Sequence, residues 1–167
     1  TGVNNSHPLR LSGRLAVVAT GFGAPLARKL WPIPLSNVLS GYQVVAQNRD
    51  VKDVEIFTGR SLGKGGFGWV LPWKPGYVLA GVLTRKNTAH LVNDHVERLS
   101  KQGKIGEVTE QFRCRALPVG SSATSVKDGI IGVGDAIGQV KATSGGGIFY
   151  ALMGADIAAG AVDYGLS

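Results

Sequence analysis

Gly132-Val133-Gly134-Asp135-Ala136-Ile137-Gly138-Gln139-Val140-Lys141-Ala142-Thr143-Ser144-Gly145-Gly146-Gly147 is the stretch on which the reading of this chain turns. Ile130 to Gly134 reads as a short buried strand that ends at a carboxylate. A loop follows, and three glycines open a helix rich in small residues from Gly147 to about Asp163. In a parallel sheet, ligands gather at the carboxyl ends of strands. Asp135 would stand there, able to accept hydrogen bonds from ligand hydroxyls. Glycines at 145, 146 and 147 let a ring approach the backbone without meeting a Cβ. The helix start also presents unpaired N–H groups and about half a positive charge.

Working outward, Arg14 to Thr20 is a continuous apolar run of the kind seen in a strand buried on both faces, ended by Gly21, Gly23 and Pro25. Residues 25–30 suit a short helix, and Trp31-Pro32-Ile33-Pro34 an extended linker. A β-rich middle follows, with strands expected at Tyr42 to Gln47, Val54 to Phe57, Phe67 to Leu71 and Tyr77 to Leu83. Lys74-Pro75-Gly76 makes the turn of an antiparallel hairpin. From Thr88 to Gln102 the period becomes helical: Val92, Val96 and Leu99 share a face, Asn87 or Thr88 caps the start, and Gly103 follows the end. Residues 109–117 form a further strand. No segment repeats.

Three motifs are decoys. Gly63-Lys64-Gly65-Gly66-Phe67-Gly68 fits both the dinucleotide and the kinase glycine patterns, but a strand stopped by Pro72, rather than a helix, follows it. The kinase His-Arg-Asp and Asp-Phe-Gly segments are absent from the sequence. His90, Asp94 and His95 do not make a metal site, because a spacing of five puts the two histidines about 140° apart around a helix. They read as a solvated helix with one half-buried histidine, and no metal is expected.

Composition narrows the partners. Glycine, 25 of 167 residues, is too aperiodic for a fibrous protein and points to backbone approaching a ligand or a helix closely. The net charge of +7 comes from scattered Lys and Arg without a recognition-helix or zinc pattern, so nucleic acid is not expected. Phosphorylated ligands and an anionic membrane surface fit equally well. Cys114, the single cysteine, reads as a free structural thiol and suits a reducing cytoplasm. Thr1 to Ser12 is polar and does not read as a secretory signal; Gly147 to Val162 is too short and carries Asp156, so it is not a membrane span.

Gly134 to Lys141 followed by Thr143-Ser144-Gly145-Gly146-Gly147 closely resembles the second FAD motif of geranylgeranyl-reductase-like flavoproteins, in the wider group that includes p-hydroxybenzoate hydroxylase. Val18-Ala19-Thr20-Gly21 looks like the strand-end Ala-Thr-Gly motif of such enzymes. Gly66 to Pro72 resembles their aromatic Tyr-x-Trp-x-Phe-Pro substrate-cavity motif, with Phe67 for Tyr and Leu71 for Phe.

The resemblance covers the chain from about residue 13. It implies an α/β to α+β fold: a partial Rossmann-type FAD-binding layer plus an antiparallel substrate-domain sheet. The expected division is 1–36 and 118–167 in the FAD-binding domain, with 37–117 as a mostly antiparallel substrate domain with one helix. FAD is the implied cofactor, held by Thr20, Gly21, Gly134, Asp135, Gly145, Gly146, Gly147 and Ile148. Asp135 would meet the ribityl or pyrophosphate side, and the N–H groups around residues 146–148 would face the flavin N1 and C2 carbonyl. Phe67, Trp69 and Pro72 are the implied substrate-binding residues. The implied activity is hydride transfer from reduced FAD to double bonds of an isoprenoid or similar apolar lipid. It requires a reduced electron donor, in a cytoplasmic protein that can lie peripheral to a membrane. No residue stands out as a catalytic acid or base.

The strand–glycine turn–helix unit that holds adenosine in full-length members has no counterpart before Leu15. The chain thus reads as the C-terminal portion of such an enzyme, with weak or absent FAD binding and no activity on its own. Two rival functions remain: a flavin monooxygenase or halogenase on the same scaffold, and a non-catalytic piece that binds lipid or a partner chain.

Overall fold

The computed structural model describes residues 12–63, 65–85, 89–120, 124–141 and 143–167. Caps at Asn87 or Thr88, and the polar start of the chain up to residue 11, lie outside these residues.

Five antiparallel strands form the larger layer: β2 (Val38–Asn48), β3 (Glu55–Thr58), β4 (Phe67–Lys74), β5 (Tyr77–Thr84) and β6 (Ile105–Pro118), in the order β3-β4-β5-β2-β6. The Pro75-Gly76 turn joins β4 to β5, with Gly76 at φ +80°. The strands alternate with period two, as a sheet with two unlike faces requires. Val70, Val78, Ala80 and Val82 point to one face and pack with Val44, Ala46 and Leu62. Helix α2 (Ala89–Lys101) covers that face through Val92 and Leu99. The opposite face carries Phe67, Trp69, Leu83, Leu39 and Leu117. Each fully buried Val or Leu contributes roughly 1.5–3 kcal/mol, so the α2 side anchors the layer.

The smaller layer joins sequence from both ends. Strand β1 (Ala16–Val18) pairs parallel with β8 (Ile130–Gly132), and β7 (Val126–Lys127) adds an antiparallel strand to β8. Helix α1 (Pro25–Leu30) packs beneath through Ala27, with Trp31, Val18 and Ile137. Helix α3 (Ile148–Leu166) lies on the other side, where Ala158 meets Ile131 and Val133. The fold is therefore mixed α/β with an antiparallel sheet, as expected.

Three local expectations need correction. The first strand is shorter than residues 14–20 and is not buried on both faces, since Val17 is 50% exposed. It is the edge strand of its sheet. Strand β4 is not stopped by Pro72 but runs on to Lys74. Its outer neighbour β3 pairs only with Phe67 to Val70, so the missing N–H of Pro72 costs no bond on that edge. His95 is not half-buried but wholly enclosed, in line with Val92 and Leu99 on the sheet-facing stripe of α2.

Candidate cofactor and substrate site

Strand β8 delivers the chain to the site. The Val133 N–H donates to the Val18 carbonyl at 3.1 Å, extending the parallel pairing by one bond. Gly134, at φ +64°, then turns the backbone into a single 3-10 turn, Gly134–Ile137, that presents Asp135. Gln139 ties this turn together twice. Its backbone N–H donates to the Gly134 carbonyl at 3.1 Å, and its side-chain Oε1 accepts the Gly134 N–H at 2.6 Å. The same amide group lies against Gly154 of α3, where a Cβ would collide with it. A loop from Lys141 to Gly146 is closed by Lys141 N–H to Gly146 O at 3.0 Å and Gly145 N–H to Lys141 O at 2.9 Å.

Helix α3 starts with Gly147 as its N-cap and no side-chain cap hydrogen bond. Its first-turn N–H groups are thus left for solvent or a ligand. A Cβ on Gly147 would stand 3.0 Å from Asp135 Oδ1, so the carboxylate sits directly beside the helix start. Gly145, at φ +70°, presses the loop against the open face of the large sheet. There a Cβ would meet Leu117 Cδ2 at 2.7 Å and Leu83 Cδ2 at 3.0 Å.

Between these walls lies a cavity of about 730 Å³, lined among others by Leu117, Asp135, Lys141 and the start of α3. Behind Leu117 stand Phe67 and Trp69, their rings 5.9 Å apart and packed with Leu83 and Val119. Trp69 is opposite Gly81 on β5, and its indole occupies the space that a Cβ there would fill.

The structure thus brings Asp135, Gly145, Gly146, Gly147 and Ile148 to one cavity. Gly134 lies just behind, buried, 3.4 Å from Ala151 Cβ as measured from an added Cβ. Phe67 and Trp69 sit one residue deeper, in the cluster that includes Leu117. Thr20 and Gly21 leave the same edge of the small sheet as Asp135, because β1 and β8 run parallel, yet neither lines this cavity and Thr20 is exposed. Pro72 is exposed farther along the hairpin and does not join the group. Sequence reasoning missed Leu117 and Gln139. Leu117 looked like ordinary strand core, and only the glycines around Gln139 hinted that a long side chain fills the gap they leave. Among the described residues no group of three His, Cys, Asp or Glu is placed to hold a metal.

A sheet with an apolar open face is thus joined to a parallel strand pair that ends in an acidic turn and an uncapped helix, a two-layer arrangement with a cavity where the two meet. No family model matches the chain. It is 29% identical over 158 residues to an uncharacterised protein of Methanocaldococcus jannaschii, covering 90% of this chain and 40% of that protein. It is 31% identical over 113 residues to the digeranylgeranylglycerophospholipid reductase of Methanococcus aeolicus, covering 65% of this chain and 29% of that one. The crystal structure of a geranylgeranyl bacteriochlorophyll reductase-like protein from Thermoplasma acidophilum superposes with a TM-score of 0.70 at 18% identity, over 84% of this chain and 38% of that one. The lanthipeptide tryptophan 5-halogenase MibH shares the fold at a TM-score of 0.60 and 18% identity, over 89% and 29% of the two chains. In sequence the chain is similar to proteins named digeranylgeranylglycerophospholipid reductase, three of them at 27–31% identity. It spans about 40% or less of the length of the curated relatives it matches.

Proposed function

We propose that this chain supplies the flavin-side and substrate-side walls of a reductase that passes hydride from reduced FAD to double bonds of an isoprenoid or similar apolar lipid. The observation that carries the reading is the convergence of Asp135, the glycine-opened helix and the apolar sheet face on one cavity. The donor set fits a flavin: a carboxylate for hydroxyl groups, uncapped N–H groups for a ring carbonyl, and glycines where a Cβ would collide. Bound there, FAD would supply the hydride, which is the cofactor's chemistry rather than the protein's.

The residues then divide the work. Asp135 accepts hydrogen bonds from the cofactor's polyol or pyrophosphate side. The N–H groups of Gly146, Gly147 and Ile148 stabilise negative charge on the cofactor by roughly 0.3–2 kcal/mol. Gln139 holds Gly134 and α3 in register and so fixes where Asp135 stands. Phe67 and Trp69 line the route of an apolar substrate and exclude water from it. Thr20 and Gly21 flank the cofactor from β1. In this reading residues 1–36 and 118–167 belong to the cofactor layer and 37–117 to the substrate layer. A reduced electron donor and an anionic membrane surface complete the list of partners.

A second reading, a flavin halogenase or monooxygenase, is favoured by the shared fold of flavin-dependent halogenases. Product analysis separates the two. The full-length protein, supplied with FAD, a reductant and a geranylgeranylated glycerophospholipid, should add two hydrogens to each double bond that it reduces. An oxygenated or halogenated product supports the second reading. Intact double bonds in a flavin-loaded protein overturn the first.

A further inference from the structure

The loop between the Gly134–Ile137 turn and α3 carries a cation with no role so far. Lys141 lines the cavity of about 730 Å³ together with Asp135, Leu117 and the start of α3. Its backbone is pinned twice to the glycine run. The Lys141 N–H donates to the Gly146 carbonyl at 3.0 Å, and the Lys141 carbonyl accepts the Gly145 N–H at 2.9 Å. The root of the side chain is therefore fixed one hydrogen bond from the residues that open α3. Beyond that root the residue is exposed, and a four-carbon stem lets its ammonium adjust to whatever fills the cavity.

Asp135 and Lys141 are the charged residues among those that line the cavity. They do not pair, since among the described residues the ion pairs are Lys101–Glu97 and Lys104–Glu55. Asp135 stands instead at the helix start, its Oδ1 3.0 Å from a Cβ added to Gly147, where the positive end of the helix dipole complements it. Lys141 has no such complement among the described residues. One wall of the cavity thus presents both signs of charge, the other the apolar Leu117.

We propose that the Lys141 ammonium stabilises the anionic, reduced form of the cofactor and so raises the potential at which the protein holds its flavin. The inference rests on the reading given under Proposed function, in which the N–H groups of residues 146–148 meet the ring carbonyl. Taking up two electrons and one proton from the reduced donor turns a neutral ring into an anion. A cation beside the ring gains little from the neutral form and much from the anion, which is the differential interaction that shifts an equilibrium. The helix N-terminus offers about half a charge, and Lys141 adds a whole one, partly screened by solvent.

The test is made on the full-length, FAD-loaded protein, unaltered and as K141Q and K141R, by equilibration with redox dyes of known potential. Relative to oxidised FAD, K141Q should hold reduced FAD about three- to ten-fold less tightly, as loss of one partly screened charge implies. For a two-electron couple this is a fall of about 15–30 mV in the midpoint potential. K141R keeps the charge and should keep the potential, which a purely structural role for the lysine stem would not require. An unchanged potential in flavin-loaded K141Q, or an equal fall in K141R, overturns the role of the charge and leaves the flavin reading standing. An unaltered protein that takes up no FAD overturns that reading and this inference with it.

Discussion

His95 makes the stability of this chain depend on pH in one direction only. Its ring is fully buried, edge-on to Phe57 at a centroid distance of 5.0 Å, and close enough to Gly68 that an added Cβ would be 3.0 Å away. Nε2 lies 3.2 Å from the Trp69 carbonyl, to which it donates when protonated there, while Nδ1 has no partner among the described residues. Burial lowers the pKa below the ordinary value of 6.5; the bond to Trp69 opposes this, and the Arg98 cation adds to it. The folded state thus keeps the ring neutral while the unfolded chain takes up a proton near pH 6.5. Stability is complete above that pH and is lost as pH falls below it, with a limiting slope of about 1.4 kcal/mol per unit. The loss continues down to the lowered folded-state pKa. Between pH 6.5 and 5.5 it is at most about 1 kcal/mol, the limit for a ring that stays neutral in the folded state. Urea unfolding midpoints at constant ionic strength, at pH 7.5, 6.5 and 5.5, measure it. H95Q keeps a donor for the Trp69 carbonyl but cannot titrate, so its midpoint should fall less over the same pH range. An equal fall in H95Q and the unaltered chain refutes the reasoning.

Two further substitutions probe the sheet and its turns. G81A places a methyl group in the Trp69 indole and 2.5 Å from the Tyr42 carbonyl oxygen; overpacking of this kind costs about 1–3 kcal/mol. The Tm should drop by roughly 2–12 °C, with a shift in tryptophan emission, and an unchanged melt and spectrum would show that the indole yields freely. Asn48 closes the turn after β2 with two bonds, Nδ2 to Val51 O at 2.9 Å and Val51 N–H to Oδ1 at 2.8 Å. N48A should lower the urea-derived stability by about 1–2 kcal/mol and N48D, which keeps the acceptor, by less; equal losses would show that the acceptor contributes nothing.

Much of this fold is legible in local chemistry. The Pro75-Gly76 turn, the 92–96–99 stripe and the run of glycines before α3 each have a short-range cause, and each forms where the pattern puts it. The errors come from context. Pro72 would stop an inner strand, but at this point β4 has no partner on its outer side, and no pattern within residues 67–72 reveals that. His95 is polar by type, and only the helix stripe shared with Val92 and Leu99 marks it as core. A missed signal is Asp128-Gly129, with φ of +47° and +75°, which joins β7 to β8 as a two-residue hairpin. At the site, the glycines and Asp135 were readable because they are close in sequence. Leu117 was not, because it reaches the cavity from a strand distant in sequence.

The parallel pairing of β1 with β8 has a consequence for the order of assembly. Ala16 meets Ile130, partners 114 residues apart. Closing a free loop of that length costs on the order of 4 kcal/mol in chain entropy, against only a three-residue ladder in return. Once the antiparallel layer has formed, its strands hold Val38 beside Pro118 and only two short tethers remain to be closed. The small layer, and with it the hollow at Asp135, should therefore be the last part of the molecule to become native.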